Sequence, residues 1–136
     1  MESCKRVMVV LRLEGLALAI ACIALYGNFG ESWWLFAALI LVPDVSMLGY
    51  LAGPRVGAGV YNLVHNWIVV IVWFLAAWYL AGDNFSLSLP LILGAHIGID
   101  RALGYGLKLP TGFHDTHLGR IGKAAQAKSG VPVRTN

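Results

Sequence analysis

Four long apolar runs, Val7 to Tyr26, Trp33 to Leu51, Gly57 to Ala81 and Phe85 to Leu107, take up most of this 136-residue chain. Each matches the roughly 20 residues that a helix needs to cross a hydrocarbon core of about 30 Å. The joints between them, "GNFGES" at 27–32, "AGPR" at 52–55 and "AGDN" at 81–84, are short and rich in turn formers. Joints of that length make consecutive helices antiparallel neighbours. The expected fold is all-α, a four-helix transmembrane bundle. Composition excludes the alternative of a soluble domain, since 58% of the residues are hydrophobic and only 12% charged. Trp33, Trp34, Trp78 and Tyr79 fall at span ends, where amphipathic rings favour the interface.

Orientation follows from basic residues, which stay cytoplasmic near span ends. Lys5 and Arg6 precede the first run, Arg55 lies between the second and third, and Lys108, Arg120, Lys123, Lys128 and Arg134 follow the fourth. The other two joints hold no Lys or Arg. Both termini are therefore expected in the cytoplasm, in a multi-pass protein of the cell inner (cytoplasmic) membrane. Residues 1–120 read as one membrane domain whose segment 108–120 folds back on the bundle. Residues 121–136 read as a flexible cytoplasmic tail. Cys4 and Cys22 have neither zinc-knuckle nor redox-pair spacing. Arg12 and Glu14 interrupt the first run, and "IALYG" follows Cys22 where a processed leader would have a polar linker, so a retained helix is expected.

Against that apolar background the ionisable residues stand out. Glu14, Asp44, His65 and Asp100 each lie about 10 to 12 Å from the cytoplasmic end of their runs, at 1.5 Å per helical residue. His96 is one turn deeper than Asp100 on the same helix face. Asn62 and Asn66 flank His65, while Arg12, Arg55, Arg101 and Tyr105 gather nearer the surface. An ionised side chain at mid-bilayer costs at least about 2.5 to 3.5 kcal/mol, so these groups must face one another or water. A polar site in the cytoplasmic half of the bundle meets that requirement. Gly94 and Gly98 fall on roughly the opposite face of the last helix and suit close helix packing or dimerisation.

The chemistry of the set admits several functions. Asp44, His65, His96 and Asp100 offer nitrogen and oxygen ligands for a divalent metal such as zinc, manganese or iron. "HDTH" at 114–117 could add His114, Asp115 and His117. In the leading reading the ion assists hydrolysis of a membrane-associated substrate, with Glu14 and Asp100 as catalytic groups. Arg12, Arg55, Arg101, Asn62, Asn66 and Tyr105 would then contact the substrate. The same residues without a metal suit an acid–base isomerase or cyclase on a lipophilic substrate. A proton- or ion-coupled transporter or channel needs stations in the outer half, where almost none occur outside a pore built by a homo-oligomer. A structural or partner-binding membrane subunit would use the charges only as ion pairs. The expected partners are the lipid bilayer and a lipophilic or amphiphilic small molecule. Nucleic acid is excluded, because the basic residues of the tail are spaced singly without aromatic platforms.

The strings "LRLEG" (11–15), "PDVSMLGYLAGPRVGAGVYNLVHN" (43–66), "AHIGIDRALGYGLK" (95–108) and "FHDTHLG" (113–119) resemble the domain-of-unknown-function 4260 family of small bacterial membrane proteins. The resemblance covers about residues 8 to 120. It implies the four-span unit and no activity, since the family has none established. A looser resemblance is to membrane-bound metal-dependent hydrolases, which pair a "PD" near a span end with intramembrane histidines and an "H-x-x-x-D". By that resemblance Asp44, His65, His96 and Asp100 would be metal ligands, although the "H-R-x-x-T-H-S" run of those proteins is missing here.

Overall fold

The computed structural model describes residues 2–29 and 31–120, so the tail expected at 121–136 lies outside the described residues. The first helix, α1 (Glu2–Phe29), overruns the apolar stretch at both ends. Ser32 caps α2 (Trp33–Leu39), its hydroxyl accepting from the Leu35 amide. The chain then tightens into a 3-10 helix over Val42–Ala52 with Pro43 in its first turn, where a missing amide proton costs nothing. Residues three apart eclipse in a 3-10 helix. Asp44, Met47 and Tyr50 therefore form one row, and Pro43, Ser46 and Gly49 the next.

Gly53, at φ 112°, turns the chain into α3 (Pro54–Val64). The third apolar run is not one straight helix. It breaks at His65 and Asn66, and α4 (Trp67–Ala76), extended by a π turn over Ala77–Ala81, leaves at 42° to α3. Asn66 closes both helix ends at this break. Its amide nitrogen donates to the Asn62 and Leu63 carbonyls, both at 2.8 Å, while its oxygen accepts from the Val69 amide at 3.0 Å. A break inside a membrane needs such substitution for the lost helical bonds.

The last helix, α5 (Asn84–Leu103), starts at Asp83, whose carboxylate accepts from the Ser86 amide and hydroxyl. It ends four residues before the apolar run does, at Gly104 in the left-handed region. The Gly104 amide donates to Arg101 and the Tyr105 amide to Asp100, the paired closing bonds of a Schellman motif.

The central helix is α5. Leu87, Ser88 and every residue from Pro90 to Gly98 are buried in it. Its main neighbour is α1, which presents Gly15, Ala19, Cys22 and Tyr26. A Cβ added at Gly98 would stand 2.6 Å from the Gly15 carbonyl, and one at Gly94 would stand 2.6 Å from the Cys22 sulfur. The G-x-x-x-G pair is thus used inside the chain, to bring two backbones together. On the outside the large apolar side chains are bare: Leu51 is 88%, Leu80 87% and Trp34 86% exposed. An exterior of that kind belongs in lipid and marks a membrane protein.

Two helical stretches are long and apolar enough to cross a membrane, Glu2–Phe29 and Trp33–Ala52, with a third if the bent pair Pro54–Val64 and Trp67–Ala81 is one span. The expected fourth span, α5, falls short of that measure because it carries Asn84, Ser86, Ser88, His96, Asp100 and Arg101. Its position explains the tolerance, since a helix wrapped by its neighbours need not be apolar toward lipid.

After α5 the chain folds back. The Lys108 amide donates to Asn62 Oδ1 at 2.7 Å and the Lys108 carbonyl accepts from Asn62 Nδ2 at 2.8 Å, a side chain imitating a neighbouring strand. Lys108 also bridges Thr116, beside a small hairpin of β1 (Asp115–Thr116) and β2 (Gly119–Arg120).

Candidate metal centre

Four ligand-bearing side chains meet in the interior, each delivered by a different local device. Asp44 comes from the first turn of the 3-10 helix, and His65 from the break, where its own φ of −96° and ψ of 41° leave the helical region. His96 and Asp100 are one turn apart on α5. One oxygen or nitrogen from each lies within 4.8 Å of the other three.

Most of the separations are close to those of a coordination shell. His65 Nε2 and His96 Nε2 stand 3.1 Å apart. His96 Nε2 is 3.3 Å from Asp44 Oδ1 and 3.4 Å from Asp100 Oδ2, and His65 Nε2 is 3.6 and 3.9 Å from the same oxygens. Around a tetrahedral ion with bonds of about 2.0 to 2.2 Å, ligand atoms sit about 3.3 to 3.6 Å apart. Both imidazoles are almost fully buried, while the Asp44 side chain is 36% and that of Asp100 18% exposed.

Partners behind the ligands fix their orientation, as metal sites require. His65 Nδ1 lies 3.1 Å from the Tyr61 carbonyl, which can only accept, so this nitrogen carries the proton and Nε2 presents its lone pair. Ser46 Oγ is 3.5 Å from the same nitrogen. The Tyr61 ring stacks on His65 at 3.8 Å, and its hydroxyl donates to Asp100 Oδ2 at 3.4 Å. His96 has the Ile40 carbonyl as its backbone partner. Two carboxylates and two imidazole lone pairs converging on one point form a set that can hold a cation.

Residues 8–121 match the domain of unknown function DUF4260. The chain belongs to this family. No curated protein and no solved structure matches the chain, so the looser likeness to metal-dependent hydrolases gains no support. Family membership assigns no activity and leaves the His2Asp2 group to be interpreted from its own chemistry, while the membrane reading rests on the long apolar helices.

Of the other expected site residues, Tyr105 lines a cavity together with Asp44 and Asp100, and the rest are placed elsewhere. Glu14 is exposed on α1 and lines a separate recess with Arg101 and His117, because the neighbouring Gly15 is the residue α1 turns toward α5. Arg12 donates from Nε to the Ala102 carbonyl at 2.8 Å, a cation at a helix C-terminus. Arg101 donates to the His65 carbonyl at 3.1 Å, which the break has freed. Asn62 holds Lys108 and Asn66 caps two helices, so neither amide faces the ligands. Arg55 is exposed in the first turn of α3. His114 is exposed beside Phe113, Asp115 accepts from the Thr111 hydroxyl, and His117 Nδ1 accepts from the Leu107 amide. None of these last three joins the metal-binding group among the described residues.

Two residues of the site went unread in the sequence. Tyr61 could have been found from its position one turn before His65. Lys108 looked like a topology marker, yet it is buried at 3% exposure. Together with Asp44, Met47, Tyr61, Asp100, Tyr105 and Phe113 it lines a cavity of about 250 Å³ on the accessible side of the carboxylates.

Proposed function

We propose that the His2Asp2 group is a divalent-metal centre, with zinc the ion best suited to its donors, and that the protein is a membrane hydrolase. In this reading the four helical runs are four spans with both termini in the cytoplasm of an inner membrane. The observation that carries it is the convergence of Asp44, His65, His96 and Asp100 at coordination-shell spacing in an otherwise apolar interior. Left without a cation, two buried imidazole lone pairs facing each other across 3.1 Å would be expensive. A bound divalent ion supplies Lewis acidity and a water acidic enough to attack near neutral pH.

The chain's own residues account for the rest. His65, held by the Tyr61 carbonyl, and His96 close the buried side of the centre. Asp44 and Asp100 border the cavity, so their oxygens meet whatever enters it. On the lipid side an apolar groove of about 490 Å³ passes Pro43, Val45, Ser46, Val64 and Ile92. Ser46 also touches His65, so the groove brings an apolar tail alongside the centre and supports a membrane-associated substrate. Glu14, exposed on α1, has no part in this scheme.

The test is metal analysis of the detergent-purified chain beside His96→Ala and Asp44→Asn. About one zinc, manganese or iron per wild-type chain, falling by roughly tenfold or more in both variants, is the expected result. A wild type with no more metal than His96→Ala would overturn the reading.

A further inference from the structure

We infer that the substrate carries a phosphate group and that Lys108 binds it, in the cavity beside Asp44 and Asp100. The inference rests on the metal reading above and adds the substrate class to it.

Lys108 is built into the site. Asn62 grips both its amide and its carbonyl, and Thr116 bridges it from the other side, so the backbone is fixed before the side chain is considered. The ammonium lies 4.3 Å from the centre of the Phe113 ring and 5.3 Å from that of Tyr61, and donates to the Phe113 carbonyl at 2.9 Å. Among the described residues it makes no ion pair. Asp44 and Asp100 line the same cavity. With a divalent ion on those carboxylates, only ring faces and one carbonyl orient the buried ammonium without neutralising it, and such a charge calls for an anion.

Charge and shape specify which anion. A divalent ion and the two carboxylates sum to zero, which leaves the Lys108 charge facing the cavity. A phosphate ester bearing one negative charge balances it. The metal centre and the ammonium line different parts of the cavity wall, and a tetrahedral anion has oxygens to offer to both. Lysine acts as a point charge toward phosphate, which needs no planar fork to meet it. A cavity of about 250 Å³ admits a headgroup-sized fragment and leaves the remainder of an amphiphile outside. Tyr105 and Phe113, both lining it and both exposed, give it an aromatic rim suited to the membrane surface.

The experiment uses the full chain, loaded with manganese in a nonionic detergent, and reads 31P relaxation of two probes, inorganic phosphate and dihexanoylphosphatidylglycerol. Wild type should enhance relaxation of at least one probe. Lys108→Met should weaken its binding about tenfold, and Lys108→Arg should restore it to within about threefold, with manganese content equal in all three. Enhancement of the lipid probe assigns a phospholipid headgroup, and enhancement of inorganic phosphate alone assigns a water-soluble phosphate. Unaltered binding in Lys108→Met, or one manganese per chain with no enhancement of either probe, overturns the inference and spares the metal centre. A wild type that holds no manganese, zinc or iron overturns both.

Discussion

His65 and His96 point their Nε2 atoms at each other across 3.1 Å, and each ring has a main-chain carbonyl as partner, Tyr61 for His65 and Ile40 for His96. Two imidazoles so held do not relieve each other, and the two carboxylates beside them are acceptors as well. Among the described residues the Tyr61 hydroxyl is the donor that reaches this group from outside it, at Asp100 Oδ2. Tyr61→Phe keeps the stack on His65 and removes that bond. Metal affinity should fall by about tenfold, the scale expected for an outer partner of a ligand. Competition with a graded series of chelators measures it, and an unchanged affinity would show that Asp100 needs no such support.

The contact between Gly98 and Gly15 sets how closely α5 and α1 approach. A methyl at Gly98 would meet the Gly15 carbonyl and the Ala19 side chain, neither of which is a flexible end that can swing away. Gly98→Ala should cost about 1 to 3 kcal/mol, the usual range for overpacking, and Gly98→Leu more. Thermal unfolding in detergent reads this directly. Gly59, which has open space around it, is the control, and Gly59→Ala should leave the midpoint unchanged or raised.

Acid should loosen the folded-back segment through His117. Burial, with the Arg101 guanidinium adding to it, holds this imidazole below its ordinary value. Its Nδ1 accepts from the Leu107 amide at 2.8 Å, so the folded form needs the ring neutral. An unfolded ring takes its proton near pH 6.5, the folded ring only at lower pH, and between the two the unfolded state binds more protons. Stability of the segment is thus complete above about pH 6.5 and declines as pH falls to the lowered folded value. Hydrogen exchange of the metal-free chain, corrected for intrinsic rates, should show residues 107–118 opening over that window. His117→Gln should remove the dependence, and a wild type that exchanges equally at pH 7.5 and 5.5 would refute it.

Why the four clustered residues could be read from the sequence, and Glu14 could not be told apart from them, comes down to depth against direction. Hydropathy places a charged residue along a span, and it put Asp44, His65, His96 and Asp100 at related depths. It carries no information on azimuth: Gly15 is the residue packed against α5, and Glu14, one position before it, lines a separate recess with Arg101 and His117 instead of joining the cluster. The break at His65 was hidden for a related reason. Asn66 satisfies the ends of both helices from within, so the apolar run shows no proline or glycine where it bends. α5 was expected as the fourth span, with His96 and Asp100 toward the site and Gly94 and Gly98 on the opposite face; that its neighbours wrap it almost completely was not legible, and this burial is what lets it carry its polar residues. Lys108 was obscured by its own plausibility, since a lysine after the last span already had a topological explanation.

Asn62 and Asn66, one turn apart, should give opposite phenotypes. Asn66→Ala strands the Asn62 and Leu63 carbonyls and the Val69 amide in an apolar setting, at a cost of about 2 kcal/mol or more. The cheapest repair is to straighten the helix through residues 64–67, which withdraws His65 from its partners. Asn66→Ala should therefore lose metal as well as stability. Asn62→Ala leaves the break intact and cuts two bonds to Lys108, about 1 to 3 kcal/mol of local anchoring. It should hold metal as wild type does while its 107–118 segment exchanges faster. Metal content and hydrogen exchange on the two variants, measured side by side, decide the matter. Equal metal loss in both would mean that the His2Asp2 geometry depends on the folded-back segment rather than on the break.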